Sequence, residues 1–205
     1  MRGSALRRGA GPRARRRVPA AGRQSWPPTA RTPLAVRDLL VDSGYPALTM
    51  DAVAARARVG KGAIYRRYRS KAEVVIAALF YAESLVPDVH TGSLHGDLLA
   101  EAEGLLTVFR APIALAALPY LLGELGDAEF QQRAQQRFIT TDVERIEAIL
   151  SNARDRGEVT GSADARLTCA VLLGVAFTWL YVFRWDVPED LAQRLATFVV
   201  AALTS

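Results

Sequence analysis

Residues 49–73 read TMDAVAARARVGKGAIYRRYRSKAE. Thr49 is an N-cap, and Asp51 follows in the electropositive first turn of the helix it opens. Met50, Val53, Ala54 and Ala57 share one stripe of that helix. Arg58-Val59-Gly60 interrupts the pattern, and a helix of about two turns follows from Lys61 to Tyr68. Ser70-Lys71-Ala72-Glu73 is a capping box opening a third helix, expected to reach Pro87. Two short helices joined by a tight turn, with small apolar residues facing each other, make a helix-turn-helix. Along the second of them, Ile64 and Tyr68 fall on one side, against Val53, Ala57 and Val59. Gly62, Tyr65, Arg66 and Arg69 fall on the other. This face suits a major groove: Arg66 can fork onto guanine, Lys61 sits at a helix N-terminus that favours phosphate, and Tyr65 and Lys71 suit phosphate contacts. A solvated basic face is the competing reading for Arg66, Arg67 and Arg69, which cannot all read bases.

The segment from Leu34 to about Leu79 resembles the DNA-binding domain of the TetR family of bacterial transcription regulators. Gly44, Leu48-Thr49, Val53-Ala54, Val59-Gly60-Lys61-Gly62-Ala63-Ile64-Tyr65, Tyr68 and Ser70-Lys71 carry the resemblance, without a gap from Thr49 to Lys71. It implies phosphate contacts for Tyr65 and Lys71. The chain departs from the family at Arg58, where Gly is usual in the turn, and at Gly60, where Ser usually caps the recognition helix. It departs again at Ala63, where a Thr hydroxyl is usual. The candidate DNA-binding set is Thr49, Lys61, Gly62, Tyr65, Arg66, Arg69 and Lys71.

Charge divides the chain. Residues 1–71 carry 15 Arg and 2 Lys against Asp38, Asp42 and Asp51, a net of +14; residues 72–205 carry 9 Arg against 18 acids, a net of −9. A basic end for a polyanion is joined to an acidic remainder. Residues 1–30 hold eight Arg, four Pro and no acid. With no apolar period, they read as a disordered tail: either an arm on DNA or a solvated leader. They are not expected to be a secretory signal, since no apolar run follows the charges.

Thr32-Pro33 is expected to start the first helix and Gly44 to end it. Beyond residue 79 the pattern is helical throughout, with helices from Leu94 to about Arg110, from Pro112, from Asp127 to about Arg156, from Ala163 to Phe183 and from Pro188. The expected fold is therefore all-α, with about nine helices. A three-helix DNA-binding domain over 31–78 precedes a helical domain over 79–205, which the family resemblance makes an effector-binding and dimerisation domain. Asp97-Leu98, Glu144 to Leu150, Arg154-Asp155-Arg156-Gly157-Glu158 and the Gly174 helix resemble one common subgroup of such domains.

Leu167 to Phe183 carries no charge, and Arg166 and Arg184 close it. A membrane span wants about 20 residues, so the expectation is a helix buried on its own domain and on a second copy. The last helix, with Leu191, Leu195, Phe198, Val199 and Ala202, lies beside it in a four-helix dimer bundle. Candidate interface residues are Leu172, Val175, Trp179, Leu195, Phe198 and Val199. The candidate effector pocket is Phe80, Phe109, Leu118, Leu122, Phe138, Thr141, Phe177, Thr178 and Tyr181, fitting an apolar or aromatic ligand with few polar handles. Each of these also fits plain core.

Enzyme chemistry fails on inventory. One cysteine, Cys169, and two histidines, His90 and His95, leave no metal-ligand spacing, and there is no Ser–His–Asp order or phosphate-binding Gly loop. Glu101 and Glu103 read as solvated acids on different helix faces. The expected protein is a cytoplasmic, homodimeric transcriptional regulator without metal, cofactor or membrane partner. It is expected to be a repressor released from a near-palindromic double-stranded operator by a small molecule. The alternative is a single-span membrane protein or a nucleic-acid packaging protein.

Overall fold

The computed structural model of the chain describes residues 28–81, 90–124 and 126–204. Among them there are ten α-helices and no strand. Residues 1–27 of the expected tail and the expected helix end at Pro87 lie outside the described residues.

Helix α1 (Pro28–Ala47) starts earlier than Thr32-Pro33 suggests, so residues 28–30 are its first turn, with Ala30 buried. Gly44 breaks it with φ +73°, a conformation that costs a side chain strain but glycine little. Helices α2 (Met50–Ala57) and α3 (Lys61–Arg67) follow, then α4 (Lys71–Leu79). Thr49 caps α2, accepting from Ala52 N at 3.1 Å. Ser70 caps α4, accepting from Glu73 N at 3.1 Å. The Glu73 carboxylate reaches back one residue further than a capping box requires, to Arg69 N at 2.7 Å.

Helices α5 (Leu94–Phe109) and α6 (Pro112–Glu124) come next. The long helix expected from Asp127 is divided: α7 (Ala128–Ala134) and α8 (Thr140–Asp155) are joined by a π-helical turn over Gln135–Ile139. That division accounts for the tenth helix. Helix α9 (Ala165–Phe177) ends in a second π-helical turn, Thr178–Val182. Helix α10 (Leu191–Thr204) starts three residues after Pro188, whose carbonyl accepts from Leu191 N in the preceding turn.

Apolar burial splits into two cores. Val36, Leu40, Val53, Ile64, Tyr68, Val75 and Leu79 of α1–α4 pack with Ile113, Ala117 and Leu121 of α6 and Phe130 of α7. Leu98, Ala102, Leu150, Cys169, Leu172, Ala176, Leu195 and Val199 of α5 and α8–α10 form the other. The break between the cores therefore does not follow the expected boundary at residue 78, because α6 and α7 complete the core of the N-terminal helices. Leu118 touches both.

A polar knot ties the two ends of the second core. Asp97 is 1% exposed; it accepts from Thr91 N at 2.7 Å and Thr91 Oγ1 at 2.8 Å, and lies 3.4 Å from Arg156 Nη2. Arg156 Nε meets Glu158 Oε1 at 2.5 Å, and the Glu158 carboxylate also accepts from Leu94 N. These bonds hold the Glu158 carboxyl below its ordinary range, the Arg156 contact foremost.

Candidate nucleic-acid interface

The exposed face of α3 is set by what the opposite face buries. Ile64 and Tyr68 are almost fully buried, and they aim the rest of the helix outward. Tyr65, half of whose surface is exposed, Arg66, Arg69 and Gly62 are open to solvent. The Arg66 guanidinium folds back over Gly62, with Nη1 only 3.4 Å from the place a β-carbon there would take. A larger residue at 62 would crowd that rotamer. Arg67 lies over the Tyr68 ring, 5.6 Å from its centre, which favours a packing role for it.

The turn between α2 and α3 works with an arginine where glycine is expected. Arg58 is left-handed, φ 55° and ψ 46°, and its N–H closes the end of α2 on Ala55 O at 3.2 Å. The next amide, Val59 N, donates to Ala54 O at 3.1 Å. Gly60 caps α3 without a side-chain bond.

Three of the candidate cations already have partners: Lys61, Lys71 and Arg69, the last 3.4 Å from Glu129 Oε1. Lys61 Nζ lies 2.5 Å from Asp51 Oδ2, which raises the lysine's pKa. Both groups are largely exposed, so this pair is weak and phosphate can replace it. Lys71 is half-buried: its ammonium donates to Pro46 O at 3.2 Å and sits 4.3 Å from the centre of the Tyr45 ring. Desolvation pulls its pKa down. Arg56, on the outer side of α2, bridges to Asp42 at 3.0 Å and Asp38 at 3.6 Å.

Of the candidate pocket residues, three meet. Tyr181 Oη donates to Phe109 O at 2.7 Å, its ring is stacked on Phe177 at 5.2 Å, and Phe109 stands edge-on at 6.1 Å. Burial pushes the Tyr181 phenol up to about 12. Thr178 begins the π-helical turn beside them. The others are dispersed. Phe80 packs on the N-terminal core, Leu118 lies between the cores, and Leu122 and Thr141 are exposed. The Phe138 side chain lies outside the described residues. A cleft of about 480 Å³ lies elsewhere, between Thr107 of α5, Arg110 just past its end and Val187-Pro188-Glu189, and no candidate pocket residue lines it.

Glu101 is not a solvated acid. It sits on the inward side of α5, where Oε1 is 3.0 Å from Arg145 Nε of α8, an ion pair out of hydrogen-bond alignment. Arg145 also grips Asp142 at 2.7 Å, and burial raises the Asp142 carboxyl despite that partner. The signal was available: Glu101, Asp142 and Arg145 all fall on the stripes that carry Leu98, Leu105, Ile146 and Ile149. Burial likewise pushes the nearby Cys169 thiol up to about 11, which leaves it a small inert core residue.

The candidate interface residues divide too. Leu172, Leu195 and Val199 are buried within the chain itself and are core, not free surface. Phe198 is 66% exposed. Val175 and Trp179 are half-buried. Trp179 Nε1 donates to Asp186 O at 3.0 Å and packs edge-on against Trp185, which stacks on Phe183.

A recognition helix so mounted has counterparts. Residues 35–78 match the model of the bacterial regulatory proteins of the tetR family, and residues 86–199 match the tetracyclin repressor-like C-terminal domain. The chain belongs to the TetR family of helix-turn-helix transcription regulators. It is 37% identical over 184 residues to the regulator Rv1556 of Mycobacterium tuberculosis, covering 85% of this chain and 87% of that one. The fold is shared with the TetR family regulator SCO0332 at a TM-score of 0.72, 24% identity and coverage of 85% and 97%. It is shared also with the regulator FadR of Bacillus subtilis, solved with stearoyl-CoA, at a TM-score of 0.60, 18% identity and coverage of 86% and 98%. The regulator's N-terminal helices are thus a DNA reader, and α5–α10 belong to the C-terminal domain of the family.

Proposed function

We propose that this regulator is a cytoplasmic homodimer that represses transcription from a near-palindromic operator and leaves it when a small molecule occupies the C-terminal half, with no catalytic activity of its own. The observation that carries the DNA part is the α3 face: Gly62, Tyr65, Arg66 and Arg69 stand outward because Ile64 and Tyr68 are sunk in the core. Arg66 reads a base, Tyr65 and Lys71 hold phosphates, and Lys61 exchanges Asp51 for phosphate. Thr49 supports the reader as the α2 cap.

Supporting the dimer are the exposed Leu167, Val182, Phe183, Trp185 and Phe198 of the α9–α10 region. The stretch Ala165–Val182 is long and apolar enough to cross a membrane by length and composition. Its other side, however, carries Thr168, Cys169, Leu172 and Ala176, buried against the chain's own helices, so a second copy suits the exposed side better than lipid. The cluster of Phe109, Phe177 and Tyr181 is the apolar part of the effector site, and the ligand bound by FadR is consistent with such use of this fold. An effector must bind more tightly to a conformer with displaced recognition helices, since otherwise it shifts nothing.

The test is selection of bound fragments from the source genome with the full chain. Enrichment of one near-palindromic sequence, protected in a footprint across both half-sites, supports the reading. Equal recovery of all fragments overturns it.

A further inference from the structure

The reader and the sensor-side helices meet in a small electrostatic junction. Tyr45, at the end of α1, stacks on Tyr120 of α6, with ring centroids 5.1 Å apart and planes 7° from parallel. The Tyr45 phenol donates to Glu124 Oε1 at 3.5 Å. The Tyr45 ring also seats Lys71, whose Nζ lies 4.3 Å from the ring centre. Nearby, Arg69 Nη1 lies 3.4 Å from Glu129 Oε1 of α7. Arg69, just past the end of α3, is therefore paired with a carboxylate of α7, while Lys71 donates to Pro46 O and rests on the Tyr45 ring, whose phenol Glu124 of α6 holds.

We infer that Glu124 and Glu129 are positioning residues for DNA binding: in the free regulator Glu129 pairs with Arg69, Glu124 holds through Tyr45 the seat on which Lys71 rests, and both cations must leave these places to meet phosphate. This rests on the phosphate role given above to Lys71 and takes Arg69, one of the outward DNA-facing residues, as a second phosphate contact. Carboxylate and phosphate oxygens compete for the same N–H donors. The Arg69–Glu129 pair is well exposed, so phosphate displaces it at small cost. Lys71 is tied differently. Its ring platform, Tyr45, stacks on Tyr120 and donates to Glu124, so α6 fixes the surface on which the ammonium rests.

The experiment uses the full-length chain and a random-sequence 30-base-pair duplex, on which phosphate contacts act whatever the sequence. Affinity is measured across a salt series for the wild type, Glu124→Gln, Glu129→Gln, Lys71→Gln, Arg69→Gln and the two cognate double variants. Each Glu→Gln is expected to tighten binding roughly two- to fivefold at low salt. The Glu124→Gln gain must vanish in the Lys71→Gln background, and the Glu129→Gln gain in the Arg69→Gln background. Gains that persist there would reflect only removal of negative charge near DNA and overturn the inference, as would no gain at all. If Lys71→Gln and Arg69→Gln leave affinity and salt slope unchanged, the phosphate roles fail and the inference fails with them. If those variants weaken binding while the cycles show no coupling, the inference alone fails.

Discussion

Arg58 holds a backbone position that glycine would occupy with less strain. A left-handed non-glycine residue costs about 1–2 kcal/mol, and its side chain is exposed. Arg58→Gly is therefore expected to raise stability by about 1 kcal/mol in urea unfolding; an unchanged midpoint would mean that the arginine side chain offsets its strain. Arg66 presents a different balance, between sequence reading and charge. Arg66→Ala is expected to weaken the selected operator by about 1–3 kcal/mol more than random DNA. Equal losses on both duplexes would reduce Arg66 to a phosphate contact. Residue-scale features such as these were legible in the sequence because caps, turns and helix faces depend on neighbours within a few positions. Arg58, standing where glycine is usual, lies in the turn that the break in apolar period already marks. What Lys71 rests on was not legible, because Tyr45 is 26 residues away and Tyr120 another 75.

At the scale of elements, the knot between α5 and the loop after α8 is where burial makes polar bonds costly to lose. Asp97→Asn keeps shape but removes the charge facing Arg156 and weakens the bonds to Thr91. Asp97 is buried although its partner Arg156 is partly exposed, so thermal unfolding should move down while α3 and its DNA contacts stay intact. Glu158 adds a pH dependence. Its carboxyl is held below the ordinary range, so its stabilisation is present above that range and disappears as the pH falls through the lowered value. Glu158→Gln should consequently flatten the acid side of a stability–pH profile, and a wild-type profile would deny the carboxylate this role. The run from Arg154 to Glu158 stood out in the sequence by family likeness, but the likeness gave no reason for it. The reason is spatial: the loop supplies Arg156 to a buried aspartate and a carboxylate to the first amide of α5. The π-helical turns were invisible for a related reason. Both lie inside apolar or mixed runs with no proline or glycine to mark an extra residue per turn.

For the whole molecule, the exposed apolar surface and the two cores matter most. Phe198 projects from α10 with most of its surface free, so a charge there costs the fold little. Phe198→Glu is expected to shift sedimentation at micromolar concentration toward monomer and to lower operator affinity along with it, because two half-sites need two readers. A dimer of undiminished strength would place the interface away from this residue. The helical composition and the division of charge were readable from composition and period alone. The partition of the cores was not, since periodicity shows which face of α6 is apolar but not which helices cover it. That partition bears on any attempt at domain exchange. An engineer who grafts this protein's address-reading head onto a foreign sensing trunk by cutting after α4 would leave Ile113, Ala117, Leu121 and Phe130 behind and hand the recipient a hollow seam. The transplant must carry α6 and α7 along, and the natural unit of inheritance here is discontinuous in the gene.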